Sequence, residues 1–195
     1  MRVLLAPDSF KGSLSATQFC QIAQQAILQV IPDAIIKSLP LSDGGEGFVE
    51  SFVFSGQAQS QRLMVGDPVG RKTFANFAWQ EHTQTAIIEM AQAAGLPKLR
   101  GSELNPLRAS TYGVGQMIQA AIDKGAKKII LGLGGSATND GGVGALQALG
   151  VEVLDKDGES VALGGQALAA IDKIGFVPEH LKQIEWVLAC DVTNT

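Results

Sequence analysis

Residues 127–144 read KKIILGLGGSATNDGGVG. The apolar run Ile129, Ile130 and Leu131 reads as a buried strand, and residues 132–139 form a glycine-rich loop after it. Val143, Leu146 and Leu149 fall at helical spacing, with Gly150 as a stop. A strand, a flexible loop and a helix N-terminus form an arrangement that binds anions. The first amides of a helix lack internal partners, and the helix dipole adds about half a positive charge there. Glycines leave room for a phosphate to approach the backbone. Ser136, Thr138, Asn139 and Asp140 add hydroxyls, an amide and a carboxylate. The stretch therefore points to phosphate handling; the plain alternative is an ordinary strand-to-helix turn.

The bulk of the chain narrows the field. It has 195 residues, 46% of them apolar, and a formal net charge of −4. That length suits one large domain or two small ones. No lysine or arginine run is present, which argues against nucleic acid as a partner, because backbone binding needs a concentrated basic face. Cys20 and Cys190 both read as buried thiols rather than a disulfide. The N-terminal apolar run is too short for a signal peptide, and no stretch reaches membrane-span length. The expected location is the cytoplasm.

Outward from the glycine-rich loop, the first part reads strand, helix, strand, helix. Residues 2–6 and 34–39 are the strands. Ser15 with Gln18 makes a capping box, and Phe19, Ile22, Ala23, Ala26, Ile27 and Val30 fall on one helix face before Pro32. Residues 40–47, PLSDGGEG, form a loop, and residues 48–54 a helix or turn. This is the start of a parallel α/β sheet. The pattern then changes. Residues 59–65, 72–79 and 85–90 are strand-like, and the alternation through residues 73–79 predicts a half-buried antiparallel strand. A domain boundary falls near residues 55–61. A loop region with a short helix spans residues 91–108. Ser110 or Thr111 caps a helix whose face is Val114, Met117, Ile118, Ala121 and Ile122, ended by Gly125. Residues 151–154 and 184–189 are further strands.

Three acids follow strands: Asp8, Asp43 and Asp191. In open parallel sheets, ligands bind beyond the carboxyl ends of the strands. Each acid could equally be a cap or turn residue. Asp8 has Ser9, Lys11 and Ser13 beside it at a helix start. Asp43 stands in a loop with Gly44, Gly45 and Glu46. Two carboxylates there suit a polyol or magnesium-bound water. Arg108, just before the Ser110 helix start, is a second anion candidate. No Ser-His-Asp arrangement is recognisable. Residues 66–73 approach a P-loop but miss its spacing, and read as a hairpin turn. Gly132, Gly134 and Ala137 fit the dinucleotide spacing GxGxxA weakly, because Thr138, Asn139 and Asp140 favour a turn where the helix would begin. The string at residues 131–137 also resembles the phosphate loop of the GHMP small-molecule kinases, with no other support.

Taken in order, five segments resemble the bacterial class I glycerate kinases. They are APDSFKGSLSA (residues 6–16), PLSDGGEG (40–47), NPLRASTYGVG (105–115), GLGGSATNDGG (132–142) and LACDVTN (188–194). The resemblance implies ATP- and magnesium-dependent phosphorylation of D-glycerate, usually at the 2-hydroxyl, with 2- against 3-phosphoglycerate left open. It implies two α/β domains with the active site between them. One is a Rossmann-like parallel-sheet domain, incomplete here, begun by residues 1–60. The other is a mixed-sheet α/β domain in residues 61–195. Family members are longer, so the resemblance implies a truncated N-terminal portion. Strands one and two would then lack sheet partners, leaving an exposed edge and apolar surface.

On this reading Gly134, Gly135, Ser136, Thr138 and Asn139 bind the nucleotide phosphates, and Asp140 or Asp191 holds Mg2+. Asp8, Ser9, Lys11, Asp43, Gly44, Gly45, Arg108 and Ser110 bind the substrate. Asp191, Lys11 and Asp43 are the catalytic candidates, and which aspartate accepts the proton stays open. The alternatives are an inactive or partner-dependent fragment of such a kinase, and an NAD-dependent oxidoreductase. A homo-oligomer is left open.

Overall fold

The structure is a computed structural model, and it describes residues 1–190. β1 (Arg2–Leu5) and β2 (Ile35–Ser38) pair in parallel, Arg2 opposite Ile35 and Leu5 opposite Ser38. α1 (Ala16–Val30) crosses between them. Its predicted capping box is present: the Gln18 amide donates to Ser15 Oγ at 3.2 Å, and the Ser15 amide donates to Gln18 Oε1 at 3.0 Å. These satisfy two of the first-turn donors that a helix leaves open.

The strands after it build a second sheet. β3 (Gln59–Gly66), β4 (Lys72–Gln80) and β5 (Thr85–Glu89) are antiparallel neighbours. β6 (Lys128–Gly132) then pairs with β5 in parallel. A small antiparallel pair, β7 (Val153–Leu154) and β8 (Lys173–Ile174), stands apart from this sheet. The last strand, β9 (Glu185–Ala189), lies parallel beside β6 and gives the order β3-β4-β5-β6-β9. The hairpin between β3 and β4 is the turn read from Asp67-Pro68. The Asp67 amide donates to the Arg71 carbonyl at 2.7 Å, and Arg71 Nε meets the Asp67 carboxylate at 2.6 Å.

Alternation along the strands splits the core over two faces. Ala75, Phe77, Trp79, Ala86, Ile88, Ile129 and Leu131 face one side. There they pack on α4 (Tyr112–Asp123) through Val114, Met117, Ile118 and Ala121, as the periodicity predicts. Ala78 and Ile87 face the other side, under Phe48 and Val49 of α2 (Phe48–Phe54). Full burial of each large aliphatic side chain contributes about 1.5–3 kcal/mol relative to exposure. α3 (Ala91–Ala94) and α5 (Val143–Ala148) complete the layers around the glycine-rich loop.

Two expectations change, and one, the exposed apolar surface, holds. The apolar face of α1 has the predicted spacing but little to pack against: Val30 is 81% exposed and Ile22 is also exposed. Across β1 and β2, Leu4 and Ile35 are exposed too. A two-stranded parallel sheet has too few neighbours to cover such a helix, so the expected apolar surface is present. Cys20 is buried as expected, but Cys190 is exposed because β9 lies at the sheet edge. The strand expected at residues 151–154 shortens to β7, whose partner β8 is too short to carry a sequence period.

Candidate active site

The five segments do not scatter over this fold; those within the described residues form a chain of contacts. The first two meet beyond the ends of β1 and β2, where the Leu41 amide donates to the Pro7 carbonyl at 2.8 Å. Between them lies a cleft of about 240 Å³ whose wall includes Ser9, Lys11, Ser13, Thr17, Glu46 and Glu50. Thr17 Oγ1 donates to the Glu50 carboxylate across it and ties α1 to α2. Lys11 therefore shares the cleft with two carboxylates, Glu46 and Glu50. Asp8 and Asp43 are exposed on the same two loops. Asp8 Oδ1 accepts from the Ser9 amide at 2.5 Å, and Asp43 Oδ1 accepts from the Gly45 amide at 2.9 Å. Asp43 thus makes an aspartate turn, bonding the backbone two residues on, whereas Asp8 bonds only its immediate neighbour; in both the second oxygen is free of that bond.

The second segment lies directly on the fourth. The Gly134 amide donates to the Gly44 carbonyl at 3.2 Å, and a Cβ on Gly134 would stand 2.5 Å from Gly45 Cα. Gly44 has a φ of +93°, and a Cβ there would stand 2.6 Å from the Ala189 carbonyl oxygen. The glycines at these places are needed because two loops and the end of β9 share one small volume. Sequence reasoning gave the loop's glycines to phosphate approach; here Gly134 serves contact between loops. Gly135 and Asn139 remain exposed, and Ser136 and Thr138 are half-buried with their hydroxyls 2.8 Å apart. The loop is held from behind, since the Ala137 amide donates to the Ala94 carbonyl at 2.8 Å.

The third segment joins the fourth through Asp140, which is only 1% exposed. Its Oδ2 accepts from the Thr111 amide at 2.7 Å, Thr111 Oγ1 at 2.9 Å and the Gly144 amide at 3.2 Å, and Oδ1 accepts from the Gly142 amide at 3.2 Å. Thr111 Oγ1 in turn accepts from the Ala145 amide at 3.0 Å. Thr111 does not cap its own helix; it binds the start of α5 to the start of α4. Ser110 is buried beside it, its Oγ accepting from the Tyr112 amide at 3.2 Å. Arg108 is exposed on the preceding turn.

This arrangement bears on magnesium. A carboxylate with four donors and almost no solvent access does not fit an open ligand position for a cation that keeps most of its own waters. Among the described residues, no three His, Cys, Asp or Glu side chains cluster as a metal-binding group. Asp191, the other expected ligand, lies outside the described residues. The dinucleotide reading fares no better: the helix begins at Val143, well beyond Ala137, so the GxGxxA spacing does not open a helix.

One acid was missed. Glu89 ends β5 opposite Gly132 of β6, and it is 2% exposed. Its Oε2 accepts from the Val49 amide at 3.3 Å. Burial pushes its carboxyl up to about 7; hydrogen bonds from the Val49 and Gly47 amides and from Gln92 pull the other way, and Glu46 adds repulsion. The available signal was a lone charge ending a buried strand, the same strand-end position that drew attention to the three aspartates.

No helix among the described residues is long and apolar enough to cross a membrane. Residues 3–195 match the model of the glycerate kinase family. The chain is 43% identical over its whole length to a glycerate kinase of Haemophilus influenzae, covering 52% of that protein. It is 39% identical to the glycerate 2-kinase of Escherichia coli, covering all of this chain and 51% of that one. Among solved structures, a Salmonella typhimurium LT2 protein provisionally described as glycerate kinase 2 superposes with a TM-score of 0.85 at 39% identity, over 100% of this chain and 52% of that one. The chain thus spans about half the length of the curated relatives it matches.

Proposed function

The chain belongs to the glycerate kinase family, and from that premise we propose that the Lys11 cleft takes glycerate and the adjoining glycine-rich loop at residues 132–142 takes the phosphates of ATP. The observation that carries this reading is the stacking of the Gly44 loop on Gly134. It brings the loop bearing Asp43 against the loop suited to phosphates, with Lys11 across the neighbouring cleft. α2 is the piece of the first unit that packs on the second.

Phosphoryl transfer asks for positioning and charge neutralisation more than for covalent work by the protein. Lys11 and Arg108 are the cations for the substrate carboxylate or the transferring group. Asp8 and Asp43, with Ser9 and the amides near Gly44 and Gly45, orient the hydroxyls. The glycerate oxygen bonds to the γ-phosphorus while the bond to the bridging oxygen breaks. ADP leaves, and the hydroxyl proton passes to Asp43 or Asp191. The exposed Gly135 and Asn139, with the Ser136 and Thr138 hydroxyls, face the nucleotide phosphates. Asp191 would hold magnesium, which would supply charge neutralisation to those phosphates. Asp140 and Ser110 serve the frame that holds the loop. The name of the E. coli relative favours 2-phosphoglycerate as product, and the cytoplasm, where ATP is plentiful, is the compartment this reading calls for.

ADP release measured with glycerate, ATP and magnesium tests the proposal. Release should need all three, and ADP formed equally without glycerate would overturn it. The exposed side chains Leu4, Val30 and Ile35 favour a second reading, a unit that needs a partner to act. Turnover that rises more steeply than in proportion to protein concentration would favour it.

A further inference from the structure

Glu89 is a buried acid that the phosphoryl-transfer reading leaves unused. Three pieces of backbone converge around it. β6 runs beside it, where the Met90 amide donates to the Gly132 carbonyl at 2.9 Å. The loop ending at Gly47 passes over it, held to Gly134 by the Gly44 carbonyl. α2 begins there, with the Val49 amide on Glu89 Oε2 and the Phe48 and Val49 side chains covering Ala78 and Ile87. A buried acceptor at this spot is costly unless it is used, and what it holds is the segment that carries Asp43.

We propose that Glu89 is the positioning residue of the cleft: its carboxyl seats the loop at residues 42–47 on the end of the parallel sheet and so sets Asp43 against the glycine-rich loop. The consequence for catalysis rests on the kinase reading; the seating itself does not. Of the facing groups, Glu46 is the charged one that acts on Glu89, by repulsion, while Gly132 and Gln92 carry no titratable group. Lifting the loop hydrates the carboxyl and returns it toward its ordinary range. The seated state therefore holds its proton more tightly than the lifted one, and the loop loosens as pH rises from about 4.5 to about 7.

The experiment is hydrogen exchange by mass spectrometry on the chain without ligands, from pH 5 to 8, corrected for the intrinsic rate, with α4 as internal reference. In the parent, protection of the amides at residues 47–50 should fall on the order of a hundredfold over that range. Glu89→Gln keeps a neutral acceptor and should flatten the profile at high protection. Glu89→Ala should expose these amides at every pH. A parent profile already flat, or a Glu89→Gln profile that still follows the parent's slope, overturns the proposal, and neither needs Glu89→Ala to fold. Glycerate-dependent ADP release is measured on the same samples. If every variant lacks turnover while the exchange pattern holds, the kinase reading fails and the seating stands.

Discussion

Replacing Asp140 by asparagine separates a structural carboxylate from a metal ligand. The side chain is 1% exposed and accepts four hydrogen bonds, three of them on Oδ2. In Asp140→Asn the amide oxygen would take the three-donor side, leaving the amide nitrogen to face the Gly142 amide. One bond becomes a donor against a donor, which costs about 1–3 kcal/mol. The other three lose their charge assistance, about 1 kcal/mol each. Relief of the desolvation that a buried carboxylate suffers offsets part of that. The net loss is about 3 kcal/mol, and for a chain of this size Tm falls about 2–4 °C per kcal/mol. A drop of about 6–12 °C is expected in calorimetry or circular dichroism. Magnesium or a chelator should leave the parent's Tm unchanged. The reasoning is refuted if Asp140→Asn melts within a degree of the parent, or if magnesium stabilises the parent and this substitution abolishes the gain.

Three further outcomes are expected. Gly134→Ala forces a Cβ to within 2.5 Å of Gly45 Cα; overpacking there should cost about 1–3 kcal/mol, read as a lower urea midpoint with an unchanged slope. Glu89 is raised from 4.5 to about 7 in the folded chain, so its contribution to stability is whole below pH 4.5 and lost as pH rises through 7. That is about 3 kcal/mol at most, and urea titrations of Glu89→Gln should lack this decline. Lys11 is an exposed cation on the cleft wall; Lys11→Ala should weaken glycerate binding about tenfold in calorimetric titration, about 1.4 kcal/mol, with Tm unchanged.

Local signals were legible wherever their partners were close in sequence. Ser15 and Gln18 are three apart, and the alternation from Thr73 to Trp79 needed only the strand itself. Contacts between distant segments were not. Asp140 stood out by type, but its donors on Thr111 lie 29 positions away, and no local pattern announces them. The same holds for Gly134: a glycine spaced for a phosphate and one spaced for Gly45 look alike until the loops are packed. Glu89 carries a weaker local signal: strand-end aspartates in glycine-rich surroundings stand out, while a glutamate between Ile88 and Met90 reads as a strand terminus. α1 is the opposite case: its apolar stripe is plain in the sequence, but periodicity says only that a face seeks cover.

That bare face also governs cooperativity. Among the described residues, β1, α1 and β2 contribute nothing to either hydrophobic cluster, and α1 meets the rest through α2. Such a unit opens at a lower free energy than the five-stranded sheet behind it. Unfolding should therefore begin at the Lys11 cleft while the glycine-rich loop beside it keeps its place. A molecule held by both sides would bind only the closed form, and at a hundred times its Kd would add about 2.7 kcal/mol to the cost of opening. Occupancy of the cleft would then be visible as two melting steps merging into one.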